Sequence, residues 1–208
     1  MSSVFALWRG KPTAFPETVS VGGKDVAVNA DFRVALKMLK LYGDPGVGGF
    51  WKNKLMVGWF YPEWPGDVAG ALEALLGFMS PPDADDADPI KKYARERKGI
   101  KKAEGPAESP TFCFEFDAKE IFSSFMQCYG IDLVETPFMH WHKFLMLFQA
   151  LGRDCPLGRK MEIRTMDIKD FKARDRAKMM KIKKEAQIPV KLTGEELRMT
   201  EELMAKLL

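Results

Sequence analysis

The sequence predicts a mainly α-helical fold, a compact helical domain with a small N-terminal β-hairpin and a C-terminal helical arm. Three observations predict it. Two helix patterns with marked ends crowd most of the large apolar side chains into Phe116–Leu151. Two more helix patterns precede them, and the one stretch that alternates as strands do lies around Gly22-Gly23.

In chain order, Met1–Gly10 is apolar but short and is expected to be irregular. Thr18–Val21, Gly22-Gly23 and Lys24–Val28 read as a hairpin, because β-branched residues alternate on both sides of a Gly-Gly turn. Two strands alone are marginal, so the hairpin must lie on helices. Asn29 or Asp31 caps a helix whose apolar positions are Phe32, Leu36, Leu39 and Tyr42, ended by Gly43-Asp44-Pro45-Gly46. Gly46-Val47-Gly48-Gly49 lacks the Gly-Lys-Ser/Thr of a phosphate loop and reads as a plain loop. Phe50–Trp64 carries Trp51, Trp59 and Trp64 beside Phe60 and Tyr61. This stretch either buries against the central helices or presents an aromatic patch to a partner. Asp67 caps a helix with Val68, Ala71, Leu72, Leu75, Leu76 and Met79 on its apolar side.

Acids Asp83–Asp88 and then bases Lys91–Lys102 fill a stretch with little to build a core, so 81–111 is expected to be a flexible charged linker, with a short helix near Ile90–Lys98. Asp117 and Glu120 then form a capping box, with Phe116 and Ile121 as a hydrophobic staple. Ile121, Phe122, Phe125 and Tyr129 take one side of that helix and Ser123, Ser124 and Gln127 the other; Gly130 ends it in the left-handed conformation. Thr136-Pro137 opens a second helix striped by Trp141, Phe144, Leu145, Phe148 and Leu151, and the two are expected to make a helical hairpin. Pro156 begins a short helix with Leu157, Met161 and Ile163 on its apolar side and Arg164 emerging from it. Beyond Met166 a long polar helix keeps a narrow seam of Ile168, Phe171, Met179, Ile182 and Ala186, and Thr193–Leu208 repeats a capping box before Leu197, Leu203, Met204 and Leu207. The expected organisation is a helical domain over 1–166, interrupted at 81–111, followed by an arm over 167–208.

The apolar share of 46% and charged share of 29% suit a folded, soluble chain, and no apolar run reaches the length of a membrane span. With no signal-peptide pattern, the expected location is the cytoplasm. Cys113, Cys128 and Cys155 lack CxxC spacing and read as reduced thiols rather than a disulfide or zinc framework. His140 and His142 stand two residues apart, about 200° on a helix, so they cannot share a metal, and one is expected inside and the other outside. Glu115 and Asp117 resemble an acid/base pair, but Asp117 is expected to cap. No catalytic residue, cofactor or metal is expected.

Bases outnumber acids over Lys169–Lys191, while glutamates outnumber bases over Thr193–Leu208, a layout that fits self-association or an acidic partner. Lys172, Arg174, Arg176, Lys181, Lys183 and Lys184 are the candidate nucleic-acid contacts, though without interleaved aromatics. Met is abundant, 13 in all, and Met suits surfaces that accept apolar partners.

Pro16-Glu17-Thr18-Val19 leading through Gly22-Gly23-Lys24 to Asp31-Phe32-Arg33, the block Ser124-Phe125 with Tyr129-Gly130-Ile131-Asp132-Leu133, and Met139-His140-Trp141 with Phe144, Leu147, Leu151 and Ile163-Arg164 together resemble the gene-product-fifteen proteins of tailed phages and prophages of Gram-positive hosts. That family is similar in genomic role to tail assembly chaperones. The resemblance implies a non-enzymatic factor that binds and solubilises the tape measure protein and is shed as the major tail tube protein assembles. The expected contact residues are Trp141, Phe144, Phe148, Phe171, Met179, Met180 and Ile182. The alternatives are a nucleic-acid-binding phage protein and a structural tail component.

Overall fold

The computed structural model describes residues 15–79 and 111–189. The expectations for Met1–Gly10, for the linker before Thr111 and for the helix after Thr193 lie outside the described residues. The described chain is mainly α-helical with a two-stranded antiparallel hairpin near its N-terminus. β1 (Thr18–Val21) pairs with β2 (Lys24–Ala27), Thr18 opposite Ala27 and Val21 opposite Lys24. Gly22 (φ 58°) and Gly23 (φ 78°) supply the two positive φ angles that the tight turn needs.

α1 (Phe32–Tyr42) is capped by Asp31, whose carboxylate accepts from the Arg33 N–H at 2.8 Å. Its buried side chains are Phe32, Ala35, Met38 and Leu41, so the helix is turned from the expected stripe: Leu36 and Leu39 are partly buried and Tyr42 is exposed. α2 (Gly49–Phe60) starts inside the glycine-rich loop. α3 (Val68–Met79) is headed by Asp67, which accepts from the Gly70 N–H, and it carries β1 on its side. It buries Ala71, Leu75, Phe78 and Met79, while Val68 and Leu76, expected on the apolar side, are exposed.

α4 (Ala118–Tyr129) ends as expected at Gly130, φ 64°. The next helix does not begin at Thr136-Pro137. Asp132 takes the Val134 and Glu135 N–H groups at 2.8 and 2.9 Å and folds 132–136 into a turn, which Arg33 pins by donating to the Leu133 and Thr136 carbonyls. The chain then runs extended, with Phe32 N–H donating to Met139 O and Trp141 N–H to Ala30 O, and α5 spans Trp141–Gln149. That short bridge, Asp31 opposite His140, starts α1 and α5 side by side. The expected hairpin is thereby corrected: α5 lies nearest α1, and α4 lies nearest α6 (Pro156–Thr165). A 3₁₀ turn (Ile168–Asp170) leads to α7 (Ala173–Ala186), which folds back on α6.

Phe144 is the hub of the core. Its ring stacks near-parallel with Phe32 (4.8 Å), Phe125 (5.2 Å), Trp141 (5.8 Å) and Phe148 (6.0 Å), joining α1, α4 and α5. Ser124, expected outside, is fully buried; its hydroxyl donates to Glu120 O and accepts the otherwise unpaired Leu157 N–H in the first turn of α6. Replacing Phe144 with Ala removes a ring from four stacked neighbours, and chemical denaturation is expected to show a loss of about 3–5 kcal/mol.

Candidate partner-binding surface

α2 is the element whose composition does not match its surroundings. Its sequence, GFWKNKLMVGWF, does not sort apolar from polar residues into two faces: Lys52-Asn53-Lys54 stand among large aromatic and aliphatic side chains. Met56, Val57 and Phe60 face the core, whereas Phe50 is 73% and Trp51 56% exposed. Trp51 and Leu55, one turn apart, share the outer face, and Phe50 packs edge-on against Trp51 at 5.5 Å. Lysines border the aromatics: Lys54 lies over the Trp51 ring, Lys37 of α1 lies 3.7 Å from the Trp59 ring centroid, and Lys52 donates to Tyr42 O. Trp64, just beyond Pro62, is also exposed. Phe50–Trp64 divides between inside and outside: Trp59 is partly buried and Phe60 and Tyr61 fully so, while Phe50, Trp51 and Trp64 face outward.

The residues expected to touch a partner separate into two groups. Trp141, Phe144 and Phe148 are core side chains, and Trp141 Nε1 donates to Met79 O at the end of α3. On the arm, Phe171, Met179 and Ile182 are half-buried along the side that faces α6, while Met180 points away and is exposed. Among the candidate nucleic-acid contacts, Lys183 donates to Met166 O and Arg176 to Phe171 O, whereas Lys172, Arg174, Lys181 and Lys184 are exposed. Arg174 lies 3.5 Å from Asp175.

The arm is seated by an ion cluster. Asp117, expected to cap α4, is completely buried and makes no capping bond. It forms a bidentate pair with Arg164 at 2.6 Å for both contacts, accepts from the Cys113 N–H, and lies 3.0 Å from Lys160. Glu120, expected to complete the capping box, pairs instead with Lys160 at 2.8 Å, and Phe116, expected as a staple, lies under the Lys160 ammonium and the Arg164 guanidinium. Arg164, expected to emerge, is inside, donating also to Ala186 O and Thr111 O. Glu115 is bound to Lys40 at 3.1 Å, so no acid/base pair forms with Asp117. Burial pushes the Asp117 carboxyl up, but the bonds from Arg164, Cys113 and Lys160 together hold it below the usual carboxylate range.

Both histidines are buried, their ring centroids 5.1 Å apart. The expected divergence fails because His140 precedes the helix in extended conformation and caps it through Nδ1, which accepts the His142 N–H. With Nδ1 accepting, Nε2 carries the proton and donates to Pro16 O; His142 Nε2 donates to Phe78 O at 2.7 Å. Burial lowers both imidazoles, through loss of hydration, despite these carbonyls. Among the described residues no group of three or more His, Cys, Asp and Glu side chains could hold a metal.

The pair sets an acid limit on stability. Because the folded state resists protonation that the unfolded chain accepts near pH 6.5, stability is expected to decline as pH falls below about 6.5. Asp117 adds a second loss at lower pH, since its stabilisation is present above about 3.9 and disappears as pH falls through its depressed value. Equilibrium unfolding between pH 8 and 4 checks the first step; replacing both histidines with Gln is expected to flatten it.

No helix among the described residues is long and apolar enough to cross a membrane. No curated protein and no solved structure matches the chain. The family model described as Bacteriophage Gp15 protein matches residues 13–188, a range that takes in the hairpin, the exposed α2 helix, the Phe144 core and α7. The resemblance carried by the three sequence blocks thus extends into the arm as far as residue 188, and the chain belongs to the bacteriophage Gp15 protein family.

Proposed function

We propose that this phage protein is a tail assembly chaperone that binds an amphipathic helical segment of the tape measure protein, keeps it soluble, and releases it as tail tube subunits assemble, without making or breaking a covalent bond. The observation that carries this reading is the outward face of α2, with Phe50, Trp51 and Leu55 exposed and lysines at its border. An unassembled amphipathic helix aggregates through its apolar stripe, and an aromatic face gives that stripe a reversible cover. The contact surface proposed here is the outer face of α2, because Trp141, Phe144 and Phe148 are spent on the core.

The nucleic-acid reading draws on exposed Lys172, Lys181 and Lys184, but no exposed aromatic interleaves them on α7. Retention as a structural tail component is separated from chaperoning by mass spectrometry of purified particles, where a chaperone is absent.

Co-expression with a tape measure fragment is expected to move that fragment into the soluble fraction. The Phe50→Ser/Trp51→Ser variant should lose this effect, and its own unfolding free energy should move by no more than about 0.5 kcal/mol for each exposed position. A fragment that stays insoluble beside the wild-type protein, together with a steeply salt-dependent DNA mobility shift, contradicts the chaperone reading and supports the nucleic-acid one.

A further inference from the structure

We infer that the segment taken up by the outer face of α2 is a helix that crosses it at Gly58 and carries aspartates or glutamates along both edges of its apolar stripe. This rests on the reading of that face as the seat of an amphipathic helix and adds which helices it accepts. Trp51, Leu55 and Gly58 follow one another at i, i+4 and i+7 and are all exposed, so they form one outer stripe.

The stripe ends on a glycine that the fold itself does not require. Gly58 has no positive φ, and a Cβ added there would meet nothing within 4 Å, so neither the backbone nor a neighbouring atom asks for its absence. Alanine is the better helix former at such a position. What a missing Cβ gives on an exposed helix face is room. A second helix axis comes closer there than over a larger side chain, and Trp51 and Leu55 then fill the space beside the crossing.

Charge decides which helix fits. α2 contains no acidic residue, and cations border the stripe on both sides: Lys54 on one, Lys52 and the Lys37 of α1 on the other. Lys54 lies 5.4 Å from the Trp51 ring centroid, Lys37 lies 3.7 Å from that of Trp59, and Lys52 donates to Tyr42 O at 2.8 Å. None of the three is in an ion pair among the described residues, whereas Lys40 is held by Glu115. Carboxylates on both edges of an incoming helix meet these ammonium groups while its apolar stripe lies on Trp51 and Leu55. The α2 helix of a second copy, crossing at the same glycine, sets lysine against lysine, which disfavours symmetric pairing of the face.

Two synthetic helical peptides with the same leucine stripe test this, one edged by Glu and the other by Lys, each titrated with the full-length protein and read by fluorescence anisotropy. The Glu-edged peptide is expected to bind about tenfold more tightly than the Lys-edged one, or better. Gly58→Gln should weaken that binding by about tenfold while its urea midpoint is no lower than that of the wild type, and Lys37→Glu/Lys54→Glu should reverse the preference. Equal binding of the two peptides, binding of neither, or wild-type affinity in Gly58→Gln overturns the inference. So does a wild-type dimer that Gly58→Gln dissociates, which makes a second copy the occupant. Tape measure solubility is a separate readout. A protein that solubilises the fragment but does not distinguish the peptides keeps the chaperone reading and loses this one, and a protein that distinguishes the peptides but leaves the fragment insoluble does the reverse.

Discussion

A carboxylate without any exposed surface is untenable unless cations meet it, and the lower half of this molecule is built around meeting Asp117. Arg164 brings a planar fork that matches the carboxylate in two parallel bonds, and Lys160 adds a second positive charge from the preceding turn of α6. The guanidinium has donors to spare. They reach Thr111 O, ahead of α4, and Ala186 O, where α7 ends. One side chain therefore ties α4, α6, α7 and the chain at Thr111 to a common point, and a lysine in its place lacks the fork geometry to do so.

A similar economy holds the other end. α5 spends its first turn on α3: Trp141 and His142 donate to the Met79 and Phe78 carbonyls, which are orphan acceptors at a helix C-terminus. With both helix ends satisfied and Phe144 stacked among four rings, the aromatic side chains of α5 are used up. α2 keeps Phe50, Trp51 and Leu55 outside that packing, exposed beside Lys52 and Lys54. The proposed partner site is thus the surface that the packing of the core cannot reach.

Much of the architecture was legible in the sequence because its signals were local. The Gly22-Gly23 turn, the Asp31 and Asp67 caps, Gly130 and the Pro156 start each act within a few residues, and each appears where expected. The failures involve partners far along the chain. Asp117 has the right local company to cap a helix, yet a guanidinium 47 residues away claims it. Arg164 sits at helical spacing from Leu157 and Met161, a pattern that marks it as inward-facing, and Ser124 sits likewise beside Ile121 and Phe125. α2 is not legible as a helix because its apolar and polar residues are mixed around the axis and leave no stripe to read. His140 and His142 were brought together by an extended residue ahead of a helix, set by the pairing of Asp31 with His140.

The buried Asp117–Arg164 pair is the contact that seats α7 on the rest of the molecule. A double-mutant cycle on Asp117→Asn and Arg164→Met, read by equilibrium denaturation at neutral pH, isolates it. Each single change strands a buried polar or charged group and is predicted to cost about 3–5 kcal/mol, with the double variant costing clearly less than the sum. Single losses within about 0.5 kcal/mol, adding without coupling, would mean that the pair is solvated and the arm held by something else.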